Sequence, residues 1–418
     1  MMNDERWDSS FIIHHFPLMR IAHVITRLIL GGAQENTLLA CEDLMRIYGD
    51  DVLLVTGPPL GPEGSLLERA RAGGVHLEVI PQLRRSIHPW RDWISYRRIK
   101  QTLRSFGPDV VHTHSAKAGI LGRAAATALA VPAIIHGVHG APFHPYQGRL
   151  ARTFFRACER WAASRCHAFV SVADAMTELM VQAGVAPREK FTTIYSGMEV
   201  EPFLESGQHR DRARAELGYR PEHVVVGKVA RLFRLKGHDD VIEAARRVVA
   251  VEPNVRFLFV GDGVLADQLR QRIAALGLAE HFQFAGLVPP DRVPQLIAAT
   301  DVVVHASLRE GLARVLPQAL IAGRPVVSYD IDGAREVVLP DQTGYLVPPR
   351  DTAGLARAIL ELAADPALRE RLGAEGRRRF TEVFRHERMT AQLRDLYLRL
   401  LERVQGSGTR RGIVCPEP

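Results

Sequence analysis

Three stretches of this sequence gather the residue types that handle a phosphate-bearing ligand. In GKVARLFRLKGH, residues 227–238, Arg231 and Lys236 come just before Gly237, where a strand pattern gives way to a helix. Two cations ahead of a helix N-terminus make a cradle for a diphosphate, because unpaired N–H groups and the helix dipole already favour negative charge there. By themselves the same charges also suit a solvated loop. In SLREGLARVLPQALIAGRPVV, residues 307–327, Glu310 and Gly311 fall between a strand and a helix, and Gln318 follows on that helix. A carboxylate at 310 can accept hydrogen bonds from hydroxyls. The backbone N–H groups of Gly311, Leu312 and Ala313 face whatever anion sits there. In LGGAQ, residues 30–34, Gly31 and Gly32 lie between the first strand and its helix. Backbone without side chains lets an anion come close, although a plain tight turn has the same letters.

What is missing narrows the chemistry. LGGAQ is not GxGxxG, and no acid marks the end of a second strand, so a dinucleotide-dependent oxidoreductase is the weaker reading. Asp239 and Asp240 open a helix, and Asp330 and Asp332 have DxD spacing in letters only. No metal and no cofactor are expected. Cys41, Cys158, Cys166 and Cys415 form no CxxC pair, and all four are expected to be reduced and inert.

These stretches need a scaffold that brings separate loops to one edge. From residue 19 onward, short β-branched runs alternate with longer amphipathic ones. Residues 20–26, 51–56, 75–80, 109–114, 133–138, 167–172 and 191–195 read as strands. Residues 34–48, 89–106, 118–129 and 148–164 read as helices. Strands separated by helices imply crossover connections and a parallel sheet. Runs such as VLLV and AFVSV fit strands buried on both faces. The charged stretch 206–222 breaks the alternation and is expected to be a linker. Strand patterns then restart at 224–229, 255–260, 282–284, 301–305 and 325–328. The chain thus divides into an N-terminal domain over 19–205, the linker, a C-terminal domain over 223–384 and one long helix over 385–404. Leu393, Leu396, Leu400 and Val404 recur along that helix at 3–4 spacing. Residues 1–18, which precede a clean strand signal and a further methionine at 19, and residues 405–418 are expected to be disordered. At 418 residues the chain exceeds the ~250–300 at which single cores stop growing, which agrees with two domains. In open parallel sheets, ligands sit beyond the carboxyl ends of strands, and all three stretches follow strands.

Taken in order, LGGAQENTLL, PDVVHTHSAKAGILGR, HGVHG, IYSGMEVEPF, VARLFRLKGHDDVI, FVGDG, REGLARVLPQALIAGRPVV and DGAREVV resemble the GT-B glycosyltransferases of the retaining family 4, those that build capsules, lipopolysaccharides and exopolysaccharides. The resemblance runs from residue 19 to 401. It implies two Rossmann-like α/β domains facing a cleft. The acceptor would lie on the N-terminal side and the nucleotide sugar on the C-terminal side, with helix 385–404 crossing back to the N-terminal domain. It implies that Arg231 and Lys236 bind the donor diphosphate and that Glu310, as first acid of an E-x7-E motif, contacts the donor sugar. The backbone of Gly311, Leu312 and Ala313 would hold phosphate or sugar oxygens. Gly32, beside Gly31, would approach the diphosphate from the opposite domain, and His139 would lie beside the transferred sugar.

One departure stands out. The second acid of the motif, which usually holds both ribose hydroxyls, is Gln318 here. A carboxylate accepts two O–H bonds with charge assistance, whereas an amide offers one oxygen. The implied reaction moves a sugar, with retention, from a UDP- or GDP-linked donor to a glycan or polyprenyl-linked acceptor in surface polysaccharide synthesis. The main task is to stabilise the leaving diphosphate, which itself would help to deprotonate the acceptor. A catalytically silent sugar-nucleotide-binding paralogue is the alternative, and Gln318 is its motive.

The charge balance adds candidate partners. Lys+Arg total 54 against 47 Asp+Glu, a formal +7, compatible with anionic substrates, a membrane surface or nucleic acid. No RNA- or DNA-binding motif occurs, so nucleic acid is not expected. Residues 84–104 carry Arg84, Arg85, Arg91, Arg97, Arg98, Lys100 and Arg104 against Asp92, with Trp90, Trp93 and Tyr96 among them. On helix 148–164, Arg149, Arg152, Arg156 and Arg160 line one face and Leu150, Phe154, Ala157 and Trp161 another. That pattern fits docking on an anionic membrane surface, and equally a polar face over an ordinary core stripe. The opening MMNDERWDSS carries acids where a signal peptide carries bases, and the apolar run 124–135 is short and holds Pro132. The expected location is cytoplasmic, with peripheral binding to the inner face of the cell membrane as a candidate.

Overall fold

A computed structural model describes residues 17–61 and 64–406. The N-terminal sheet contains β1 (Arg20–Ile25), β2 (Asp51–Thr56), β3 (His76–Val79), β4 (Val110–His114), β5 (Ala133–Val138), β6 (Ala168–Ser171) and β7 (Phe191–Thr193), in the spatial order 3-2-1-4-5-6-7. The C-terminal sheet contains β8 (Val224–Val229), β9 (Val255–Val260), β10 (Phe282–Gly286), β11 (Val302–His305), β12 (Val326–Tyr329) and β13 (Gly344–Val347), in the order 10-9-8-11-12-13. Every strand pair in both sheets is parallel. These are two Rossmann-like domains. β13 has no counterpart among the expected strands. Its four residues, GYLV, form a short edge strand beside β12, and it opens on Gly344, a residue type that strands disfavour.

The strands read as continuous apolar runs because helices cover both sheet faces. Ile21, Ile25, Val52, Leu54 and Ile135 fill one layer; Ala22, Val24, Leu53, Val55 and Ile134 fill the other. Local signals set the helix ends. Helix Pro89–Phe106 starts with Pro89 after His88, whose ring accepts the Arg91 N–H, since proline at a first helical position loses no hydrogen bond. It stops at Gly107, left-handed at φ 63°.

Residues 206–222, expected as a linker, contain the helix Arg210–Glu216, seated on the C-terminal domain. Arg214 is buried. With Arg210 it grips Asp301, at 3.1 Å and 2.5 Å, and also reaches the carbonyls of Ala299 and His223. The chain crosses between domains just before this segment. Met198 N–H donates to the Phe384 carbonyl at 2.8 Å, so the outgoing strand and the returning one lie side by side.

The last helix, His386–Gly406, then lies on the N-terminal domain. Its stripe of Met389, Leu393, Leu396, Tyr397 and Leu400 joins the first core layer. Buried polar contacts fix its register: His386 Nδ1 and Thr390 Oγ1 meet Asp43 at 2.7 Å and 2.9 Å, and Arg394 pairs with Asp50 at 2.8 Å. Burial opposes charging His386, but the Asp43 carboxylate outweighs it and its pKa is raised. The expected disordered segments 1–18 and 405–418 lie outside the described residues, apart from 17, 18 and the backbone of 405 and 406.

Candidate active site

The carboxyl ends of the two sheets face each other across a cavity of about 950 Å³. Gly31 and Glu35 line it from the N-terminal domain; Arg231, Phe233, Asp262, Arg314 and Gln318 line it from the other. Three contacts bring the walls together. Arg314 pairs with Glu35 at 2.5 Å, Arg309 donates to the carbonyl of Ala141, and the Glu336 carboxylate accepts the N–H groups of Asp174 and Ala175 at 2.9 Å and 3.0 Å. Gly311 is packed against the His139 carbonyl. A Cβ there would lie 2.4 Å from that oxygen, so the approach of the two domains requires glycine.

Charged groups gather on the C-terminal side of the domain approach, outside the lining of this cavity. Lys236 Nζ is ion-paired with Glu310, and His305 Nε2 lies 3.6 Å from the same carboxylate. Burial pushes the Glu310 carboxyl up, but His305 and Lys236 more than reverse this, and its pKa lies well below the usual carboxylate range. Glu310 is therefore an anion at neutral pH, available to accept hydroxyls but a poor proton acceptor. Its backbone N–H is held by Asp332 at 2.6 Å, with Asp332 left-handed at φ 44°. Beneath them Lys228, on β8, is buried, and its Nζ has no hydrogen-bond partner among the described residues. Burial first and the Lys236 charge second bring its pKa down to about 7.

Neutral imidazoles gather on the N-terminal side of the domain approach, where His112, His114 and His139 line a separate, much smaller cavity. His23 on β1, His112 and His114 on β4 and His139 just after β5 lie together. His23 Nδ1 is 3.0 Å from His114 Nε2, and His114 Nδ1 is 3.0 Å from His139 Nε2. His112 Nδ1 meets the Tyr397 hydroxyl at 2.6 Å. Burial brings the pKa of His23 down to about 3 and that of His139 to about 4.

Of the residues singled out from sequence, Gly31, Arg231 and Gln318 line the cavity. Lys236 and Glu310 hold each other. Gly32 lies against Arg314, and Gly311 against His139. The side chains of Leu312 and Ala313 pack into the apolar core beneath the loop. Asp330 and Asp332 have separate partners, Arg335 and the Glu310 N–H. Sequence reasoning missed Glu35, Arg314, Lys228, His23, His112 and His114. A signal existed for two of them, because HTH on a strand places both histidines on one face. Lys228 looked like an ordinary strand residue, and Glu35 with Arg314 becomes a pair only once two domains meet.

Known proteins are similar to this chain in sequence and in fold. Residues 31–197 match the family described as Glycosyl transferase 4-like domain, and residues 209–379 match Glycosyl transferases group 1. The chain is 26% identical over 383 residues to UDP-Gal:alpha-D-GlcNAc-diphosphoundecaprenol alpha-1,3-galactosyltransferase of Escherichia coli, covering 91% of this chain and 97% of that one. It is 28% identical to 2-deoxystreptamine N-acetyl-D-glucosaminyltransferase of Streptomyces fradiae, covering 80% and 83%. Its fold is similar to that of Anabaena HepE in complex with UDP, with a TM-score of 0.76 at 23% identity, covering 91% of this chain and all of that one. With one family match on each domain and the cleft between them, the chain belongs to the GT-B glycosyltransferases of family 4 and is an enzyme of that class.

Proposed function

We propose that this enzyme transfers a sugar, with retention, from a UDP- or GDP-linked donor to a glycan or polyprenyl-linked acceptor in surface polysaccharide synthesis. The observation that carries this reading is the cavity of about 950 Å³ with Arg231 and Gln318 on its wall and the Lys236–Glu310 pair beside it. The relative from Escherichia coli is named for a UDP-sugar donor and a diphosphoundecaprenol acceptor, and HepE is in complex with UDP. In this reading Arg231 and Lys236 hold the diphosphate. An ammonium has three donors, so Lys236 can keep Glu310 and still bind a phosphate oxygen. Glu310, held anionic, accepts hydroxyls of the donor sugar. Phe233, Val264, Leu287 and Val288 give the cavity an apolar end suited to a base. No metal takes part, because cationic side chains neutralise the leaving diphosphate. A panel of UDP- and GDP-sugars, each offered with a polyprenyl diphosphate-linked sugar, tests the reading. Transfer from one donor with its anomeric configuration preserved is expected; inversion of the configuration, or no transfer from any nucleotide sugar, would refute it.

The acceptor class is supported by the outer face of the N-terminal domain. Helix Arg149–Ala163 is anchored from within by the buried Arg123–Glu159 pair at 2.9 Å. Its Leu150, Phe154 and Trp161 point outward, Leu150 being 89% exposed. The stripe is therefore not a core stripe. Arg156 and Arg160 turn back to the carbonyls of Ala183 and Gly184, and Arg149 and Arg152 are the exposed cations of the helix's first turn. Helix Pro89–Phe106 lies in the same layer, across helix Ala116–Thr127, and exposes Trp90 and Trp93 beside Arg97 and Arg98. Exposed aromatics among cations suit an anionic bilayer. No helix among the described residues is long and apolar enough to cross a membrane. Sedimentation with anionic liposomes at low salt, release at high salt and weakening by Arg149→Glu with Arg152→Glu are expected. Equal binding to neutral vesicles would remove the electrostatic account.

A further inference from the structure

The buried histidines are more regular than packing requires. The ring centres of His23 and His114 are 5.3 Å apart with 6° between their planes, and the two facing nitrogens are 3.0 Å apart. The first distance exceeds the second by the whole of two ring radii, the most that geometry allows, so both nitrogens lie close to the line between the ring centres. His114 and His139 repeat this, with ring centres at 5.2 Å and nitrogens at 3.0 Å. Each contact is an N–H···N hydrogen bond, and the three rings form one chain. Gly137 leaves room for it, since a Cβ there would lie 2.8 Å from His114 Nδ1. His23, His112 and His114 could also be taken for a metal site, their ligand atoms lying within 4.8 Å of one another. The geometry argues otherwise, because a cation between two nitrogens that face each other needs them roughly 4 Å apart.

Burial keeps these rings neutral, so each carries one hydrogen. Two hydrogen bonds among three such rings allow only two polarities. At the far end His23 Nε2 is buried with no partner among the described residues. A buried N–H without an acceptor is costlier than a bare acceptor nitrogen. The hydrogen of His23 therefore sits on Nδ1 and points to His114 Nε2. The hydrogen of His114 sits on Nδ1 and points to His139 Nε2. The hydrogen of His139 is left on Nδ1, a nitrogen with no protein partner among the described residues.

We propose that His23 and His114 are positioning residues that lock His139 as an Nδ1–H donor, fixing both its ring and the atom it offers to a hydroxyl or carbonyl oxygen of the transferred sugar. This use of the donor rests on the transfer reading above; the hydrogen position does not. Free histidine prefers the opposite form, with the hydrogen on Nε2. Ring nitrogen NMR of the whole protein labelled with 15N-histidine therefore reads the lock directly. In the native protein His139 should carry its hydrogen on Nδ1. His114→Phe, which keeps a ring but removes both nitrogens, should return His139 to Nε2–H. His23→Phe should give a mixture, and it provides the same reading if His114→Phe does not fold. In transfer assays His114→Phe should lower kcat about 10-fold while the KM for donor changes less than about 2-fold. His114→Phe combined with His139→Ala should be no slower than His139→Ala alone. A His139 carrying its hydrogen on Nε2 in the native protein, or fully additive losses in the double variant, would overturn the proposal. If Nδ1–H is observed but no nucleotide sugar supports transfer, the lock stands and the transfer reading falls.

Discussion

On the C-terminal side of the cleft, Lys228, Lys236 and Glu310 hold ionisable groups at close quarters, whereas on the N-terminal side His23, His114 and His139 are hydrogen-bonded to one another and uncharged. Both sets sit near the carboxyl ends of parallel strands, and both are largely withdrawn from solvent, Lys228, His23 and His114 fully and Lys236, Glu310 and His139 in part. They differ in what burial does to them. An ion pair survives burial when its partners compensate each other, as Glu310 shows by staying anionic. Imidazoles with no acid beside them lose their charge instead. The division fits a transfer in which one wall stabilises the charge that leaves and the other orients neutral hydroxyls.

The comparison breaks most visibly at Lys236. Lys236→Ala or Arg231→Ala should lower transfer by at least ~10²-fold with the fold intact, since in the proposed reading each removes a charged donor to the leaving diphosphate. Near-normal turnover would mean that the charged wall does not carry the reaction. Lys228 sharpens the same side. Its pKa is down to about 7 in the fold against 10.5 in an unfolded chain. Between those values the unfolded chain binds the proton more, so stability rises with pH across that window and the penalty is complete below pH 7. Lys228→Met should accordingly stabilise the protein at pH 6 by ~1–4 kcal/mol in urea unfolding, less at pH 9. An equal gain at both pH values would show that the charge is not the cause.

The neutral wall has the opposite sign. His23 titrates at about 3 in the fold and 6.5 unfolded, so the unfolded chain takes up a proton that the fold refuses, and stability falls as pH drops below 6.5. His23→Phe should remove about 2 kcal/mol of the loss between pH 6.5 and 4.5. His386, whose pKa is raised by Asp43, is unchanged in that comparison and cancels. An identical acid slope in both proteins would contradict a neutral His23. The smallest effect is expected at Gln318. Gln318→Glu should tighten nucleoside diphosphate binding by about 1 kcal/mol, since hydrogen bonds to charged groups exceed neutral ones by that order. Gln318→Leu should weaken it, and calorimetric titration that finds neither change would detach Gln318 from the ribose.

The alternation of β-branched runs with amphipathic ones made both parallel sheets legible, because helices that cover both faces leave continuous apolar strands. β2, β5, β8 and β9 fall on their expected residues. Edge strand β13 escaped because it opens on Gly344, and glycine reads as a break and not as a strand. The seat of Arg210 and Arg214 on Asp301 escaped because charge in sequence does not say whether it is paired. That Arg231, Lys236 and Glu310 fall in loops between a strand and a helix was legible in the sequence; the donor roles proposed for them came from the family resemblance. What only the tertiary structure decided is what those residues meet. Register sets His23 opposite His112 and His114 opposite Gly137; domain approach sets Arg314 on Glu35 and Gly311 on His139. Periodicity records which face of an element is buried, because burial repeats with the backbone. A hydrogen bond between residues 91 apart, such as that from His23 to His114, leaves no such repeat. It forms only when the sheet brings their nitrogens onto one line.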